Sequence, residues 1–94
     1  MPYNRIENVL RKRARELIGA GFLPCGPPMH VWGGYGSELA CSLCEELIPH
    51  QEVEYELEFR GAHSTQLYRF HFLCHTAWSL ECARAETPGE TNED

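Results

Sequence analysis

Two short motifs hold most of the residues of this chain that could do chemistry. Cys41-Ser42-Leu43-Cys44 is a C-x-x-C, and His71-Phe72-Leu73-Cys74 is an H-x-x-C. Two cysteines separated by two residues can fold a tight knuckle whose sulfurs converge on one ion. A histidine and a cysteine three apart at the start of a helix place both side chains on the face of its first turn. Three thiolates and one imidazole satisfy the tetrahedral preference of Zn2+ and leave no open position. The expected metal ligands are therefore Cys41, Cys44, His71 and Cys74, holding one structural zinc, with iron in a rubredoxin-like site as the main rival. His75 adjoins Cys74, but the i, i+3 pair shares a face better, which favours His71 as the fourth ligand. Cys25 and Cys82 fall outside the quartet. Cys25 reads as a loop thiol and Cys82 as a small apolar side chain packed in the core.

The elements that must position these residues follow from the apolar pattern. Asn4 and Glu7 form a capping box with Pro2 just outside it. Ile6, Val9, Leu10, Arg13/Ala14, Leu17 and Ile18 then make one helical stripe, and Gly19 and Gly21 supply the stop. This gives an amphipathic helix over 1–21, with Glu7/Arg11 and Lys12/Glu16 as ion pairs on its exposed side. Residues 22–40 are rich in Pro and Gly and read as a packed loop, neither a regular helix nor a central strand. Glu52-Val53-Glu54-Tyr55-Glu56-Leu57-Glu58-Phe59 alternates acid and apolar residues strictly, the mark of a strand with one wet and one buried face. After a turn over 61–66, Leu67-Tyr68-Arg69-Phe70-His71 returns as its hairpin partner. The glutamate row reads as a solvated face that Arg69 partly neutralises. A second helix starts at Phe72, its period marked by Leu73, Ala77, Trp78, Leu80 or Glu81, Cys82 and Ala85, and Thr87-Pro88-Gly89 ends it. Trp32 and Trp78 are expected to plug the core, while His50 and His63 fall in turns and are expected to be exposed. The fold class is α+β: an N-terminal helix packed on a zinc-binding unit over 41–87, one domain overall, with a disordered acidic tail over 88–94.

Composition narrows the classes. The chain has 94 residues, 43% hydrophobic and 23% charged, with five cysteines and a net charge of −6. A domain this small has a thin core and benefits from a cross-link. No apolar run approaches the roughly 20 residues of a membrane span. Residues 1–10 lack the apolar stretch of a secretory signal, so a reducing cytoplasm is expected and a disulfide framework is not. Charge is split unevenly. Residues 1–24 carry five basic side chains against two acids, and residues 25–94 carry three against twelve. A basic arm of this kind could grip phosphates, dock on an acidic surface of its own chain or of a second copy, or simply be a solvated face.

Knuckle, hairpin, and a helix whose first turn holds the second ligand pair is the layout of a treble-clef zinc finger, and Phe70-His71-Phe72-Leu73-Cys74 is similar to the F-H-x-x-C of LIM- and RING-type fingers. Over residues 5–82 the chain more closely resembles small uncharacterised bacterial proteins with a W-G-G segment, a C-x-x-C and an H-x-x-C-H-x-x-W ending, carried here by Trp32-Gly33-Gly34, Cys41/Cys44 and His71/Cys74/His75/Trp78. The resemblance implies a structural zinc and a bacterial cytosolic setting. LIM and RING domains bind two zinc ions and this chain has ligands for one, so their roles do not carry over. The function expected is a zinc-stabilised module that binds another protein, with a homodimer as one form. The alternative is a nucleic-acid-binding or transcription-associated protein using Arg11, Lys12, Arg13 and Arg15. Catalysis is not expected: the sequence has no Ser/His/Asp set, phosphate loop or H-E-x-x-H, and no H-x-E precedes the C-x-x-C.

Overall fold

A computed structural model describes residues 5–86. The Asn4 cap, the Thr87-Pro88-Gly89 stop and the acidic tail lie outside them. Five elements follow in order: α1 (Arg5–Gly19), β1 (His30–Tyr35), β2 (Val53–Arg60), β3 (Thr65–His71) and α2 (Phe72–Glu86). The class is α+β. No described helix is long and apolar enough to cross a membrane.

Helix α1 ends as its glycines require. Gly21 has φ +86°, the Phe22 N–H reaches the Leu17 carbonyl at 2.9 Å, and the Gly21 N–H reaches that of Ile18 at 3.1 Å. This is the paired closure of a Schellman motif, which a residue with a β-carbon adopts only under strain. Ala14 is fully buried, with Leu10, Leu17 and Ile18 packed against the core. Ile6 and Val9, in the same stripe, are exposed. Periodicity sets which face they share, but burial needs a covering element along the whole helix.

The sheet has three antiparallel strands in the order β1-β2-β3. The hairpin β2–β3 is as expected, with Tyr55 opposite Phe70 and Leu57 opposite Tyr68. The segment 22–40 is not simply a packed loop: its residues 30–35 form an edge strand, Trp32 facing Glu56 and Gly33 facing Tyr55. Pattern reading overlooks it because Gly33-Gly34 breaks the alternation and an edge strand needs only one paired side. Trp32 is 49% exposed on this edge and does not plug the core, whereas Trp78 does. Directly after β1, Gly36 crosses the Ile48–Pro49 backbone so closely that a β-carbon there would lie 1.9 Å from the Pro49 carbonyl oxygen.

One sheet face carries Leu57, Phe59 and Phe70 against α2, where Trp78 stacks on Phe70 at 5.6 Å and meets Phe59 edge-on at 6.1 Å. The period-two reading of β2 fails at its first residues: Val53 is 48% exposed and Glu54 only 7%. The Glu54 carboxylate accepts hydrogen bonds from the Ser37 N–H at 2.8 Å and hydroxyl at 2.7 Å, which replace the water it loses. Glu56 and Glu58 of the row are also matched, and among the described residues Glu52 is not. Arg69 reaches Glu56 at 3.1 Å, and His30 Nδ1 lies 2.9 Å from Glu58, a hydrogen bond that holds the Glu58 carboxyl below its usual range.

Cys25 and Cys82 form a disulfide, their Cα atoms 5.4 Å apart. This corrects the expectation of a loop thiol beside an unrelated core cysteine. Cys82 is indeed buried, but the fold brings the loop after α1 onto the same side of α2, where the Pro24 carbonyl also accepts from Trp78 Nε1–H at 2.8 Å.

Candidate metal centre

The knuckle is a closed turn. The Cys41 N–H bonds the Glu46 carbonyl at 2.9 Å, the Glu45 N–H bonds the Cys41 carbonyl at 3.0 Å, and Ala40 bridges Leu47. Glu45 accepts a left-handed φ of 70° to complete it. Ser42 then stitches the knuckle to β3: its N–H donates to the Arg69 carbonyl at 2.7 Å and its hydroxyl accepts from the Arg69 N–H at 3.0 Å. That places both knuckle sulfurs beside the end of β3, two residues before His71.

Cys41 Sγ, Cys44 Sγ, His71 and Cys74 Sγ converge, their donor atoms all within 4.8 Å of one another. His71 Nδ1 lies 3.5 Å from Cys44 Sγ and 3.8 Å from Cys74 Sγ. Ligands on a tetrahedral zinc, at about 2.3 Å for sulfur and 2.0–2.1 Å for nitrogen, stand roughly 3.6–3.8 Å apart. The spacing therefore leaves a cation-sized centre. His71 Nε2 lies 3.2 Å from the Leu47 carbonyl oxygen. In the tautomer that donates from Nε2, the Nδ1 lone pair faces the sulfurs, the arrangement that orients an imidazole toward a metal. One detail differs from expectation. His71 is the last residue of β3 and only Cys74 comes from α2, so the H-x-x-C spans a strand–helix junction and not one helical turn.

The three thiols of the cluster influence one another strongly. The Cys41 thiol is lowered to about 4, first by the hydrogen bond from Cys74 and then, against burial, by N–H groups of Cys44, His71 and Leu43. Cys74 is pushed far up by the same bond, by burial and by the neighbouring sulfur charges, and Cys44 is raised chiefly by burial. One thiolate thus forms readily and opposes the others. A divalent cation at the centre removes that opposition and lets all three thiols ionise.

His75 is not part of the cluster. Its ring lies 4.7 Å from Tyr55 and 5.7 Å from Trp78, and burial holds it below its usual range. His50 and His63 are exposed, as expected.

Three of the basic residues of α1, Arg11, Arg13 and Arg15, reach other parts of the fold. Arg11 and Arg15 both pair with Glu81 of α2, at 2.8 and 3.3 Å, and Glu81 is 2% exposed. Burial alone would raise the Glu81 carboxyl, but hydrogen bonds and charge from the two arginines outweigh it and hold the carboxyl low. Arg13 donates to the Leu43 carbonyl of the knuckle and pairs with Glu45 at 3.0 Å. Lys12, paired with Glu16 at 3.6 Å, stays on an open surface, and Arg5 is exposed as well. Glu81 is the residue that sequence reasoning missed. Its position among apolar residues of α2 was visible, but its three-dimensional opposition to Arg11 and Arg15 was not.

No protein-family model, curated protein or solved structure matches the chain.

Proposed function

We propose that this is a small zinc-binding protein in which one structural zinc, held by Cys41, Cys44, His71 and Cys74, stabilises a module that binds another protein. The observation that carries this reading is the convergence of three sulfurs and one imidazole nitrogen within 4.8 Å of one another, with His71 Nδ1 3.5 and 3.8 Å from two of the sulfurs. Four protein ligands fill the coordination sphere and leave no position for water or substrate, which favours a structural over a catalytic role. The order of knuckle, β2–β3 hairpin and α2 supports a treble-clef-like arrangement, and the donor set fits zinc better than the four thiolates of a rubredoxin iron site.

The test has two readouts on one preparation. Chelator titration followed by circular dichroism should unfold the protein in step with loss of one metal, which must be colourless; a red, absorbing centre would assign iron. The metal-loaded protein should co-elute with a stoichiometric protein partner that the Cys74→Ser variant does not retain. Full retention of structure after chelation would refute the structural metal, and a folded, loaded protein that recovers no partner would refute the interaction role.

A further inference from the structure

Beside the metal centre lies a hollow of about 500 Å3. Its walls are almost wholly apolar: Ile6 and Leu10 of α1, Val53 of β2, and Phe72 and Leu73 of α2. Four of these five are among the exposed large hydrophobic side chains of the molecule. Single exposed apolar residues are ordinary, but a concave group drawn from three elements marks a contact surface. Cys44, His71 and Cys74 also border it, so its shape depends on the metal centre.

Two acids stand at its rim. Glu46 and Glu52 line the hollow and are exposed, and neither pairs with a cation among the described residues. This sets them apart from Glu45, Glu54, Glu56, Glu58 and Glu81, each of which has a partner. An apolar hollow edged by two unmatched carboxylates is complementary to an apolar segment flanked by Lys or Arg. The same rim disfavours a second copy, because an isologous contact sets like charges against each other. It also disfavours the chain's own acidic end, with Glu90, Glu93 and Asp94.

Building on the zinc-stabilised interaction reading, we propose that this hollow is the docking site for a basic amphipathic protein segment. One or two large apolar side chains enter between Ile6, Val53 and Phe72, and flanking cations meet Glu46 and Glu52.

The test measures fluorescence polarisation of a short labelled peptide, a Trp-Leu core flanked by lysines, against the zinc-loaded protein. Glu46→Lys/Glu52→Lys should raise Kd by about tenfold or more, as expected for two charge contacts. Ile6→Ser/Val53→Ser should raise it similarly. Glu16→Lys/Glu38→Lys makes the same charge change outside the hollow and should shift Kd by less than about threefold, consistent with weak long-range attraction. An equal effect of that control pair, or no effect of the apolar pair, would overturn the proposal. So would self-association that Ile6→Ser abolishes and the peptide does not compete. Zinc content and circular dichroism of the same samples separate the two readings. No binding by a folded, zinc-loaded protein overturns the docking site and leaves the metal centre standing. Specific binding by a folded, metal-free protein keeps the site and removes the metal.

Discussion

Helix α2 carries a cysteine of the candidate metal centre and a cysteine of the disulfide, and the two sites are built in different ways. Cys74 in its first turn joins the metal centre, and Cys82, about 12 Å further along the axis, joins the disulfide to Cys25. The metal centre gathers three separate pieces of backbone, the knuckle, the end of β3 and α2, and sits where the exposed hollow opens. The disulfide ties one loop to one helix across a sequence separation of 57, beside the Pro24–Trp78 hydrogen bond. A metal site assembles from local motifs that bring their ligands in pairs. A disulfide between distant cysteines depends on the whole fold having formed around it. The metal end should therefore control whether the module exists, and the disulfide end how firmly it is held.

Metal removal is the largest blow to that contrast. Binding free energies of structural zinc are about 10–16 kcal/mol in small fingers, comparable with the entire stability of a domain. Cys74→Ser should abolish cooperative thermal unfolding in circular dichroism, even with the disulfide intact. The double variant Cys25→Ser/Cys82→Ser should cost less, about 2–4 kcal/mol by loop-closure entropy, and lower the melting midpoint while zinc content stays unchanged. If the disulfide variant loses its zinc as well, the two ends are one cooperative unit and the contrast fails.

Next in size is the ion cluster between the helices. Glu81→Gln should cost about 1–3 kcal/mol in denaturant unfolding. Removing one partner strands the others, but Arg11 and Arg15 are partly exposed, and water tempers the loss. Its pH dependence has a definite sign. A carboxyl held low in the folded state contributes its full stability above the ordinary value of 4.5, and that contribution is lost as the pH falls through the lowered value. The stability difference between wild type and Glu81→Gln should thus be constant from about pH 8 to pH 5. A difference that shrinks by half between pH 7 and 6 would trace it to other groups. The smallest effect is expected from Arg13→Ala, which removes the donor to the Leu43 carbonyl: roughly 1 kcal/mol, with faster zinc transfer to a competing chelator. An unchanged transfer rate would separate α1 from the knuckle.

The same contrast explains what was legible in the sequence. Both half-sites could be read because a C-x-x-C and an H-x-x-C fix their own local geometry, and the hairpin between them could be read from eight alternating residues. Helix α1 and its Gly21 stop were equally local. The Cys25–Cys82 pairing was hidden because neither cysteine has a neighbour in sequence that points to the other. β1 was hidden for a related reason: Gly33 and Gly34 carry no alternation, and only the presence of β2 makes them a strand. Glu54 and Glu81 broke the rule that acids face water. Each is matched by groups far away in sequence, Ser37 for Glu54 and Arg11 and Arg15 for Glu81, and periodicity takes no account of such partners.

Native mass spectrometry of the intact protein, with Cys44→Ser alongside, tests the central claim most directly. The wild type should carry one zinc per chain together with a mass lower by two hydrogens for the single disulfide, and Cys44→Ser should lose the zinc. A wild-type chain that is folded but carries no metal, or a variant that retains a full equivalent of zinc, would contradict the account.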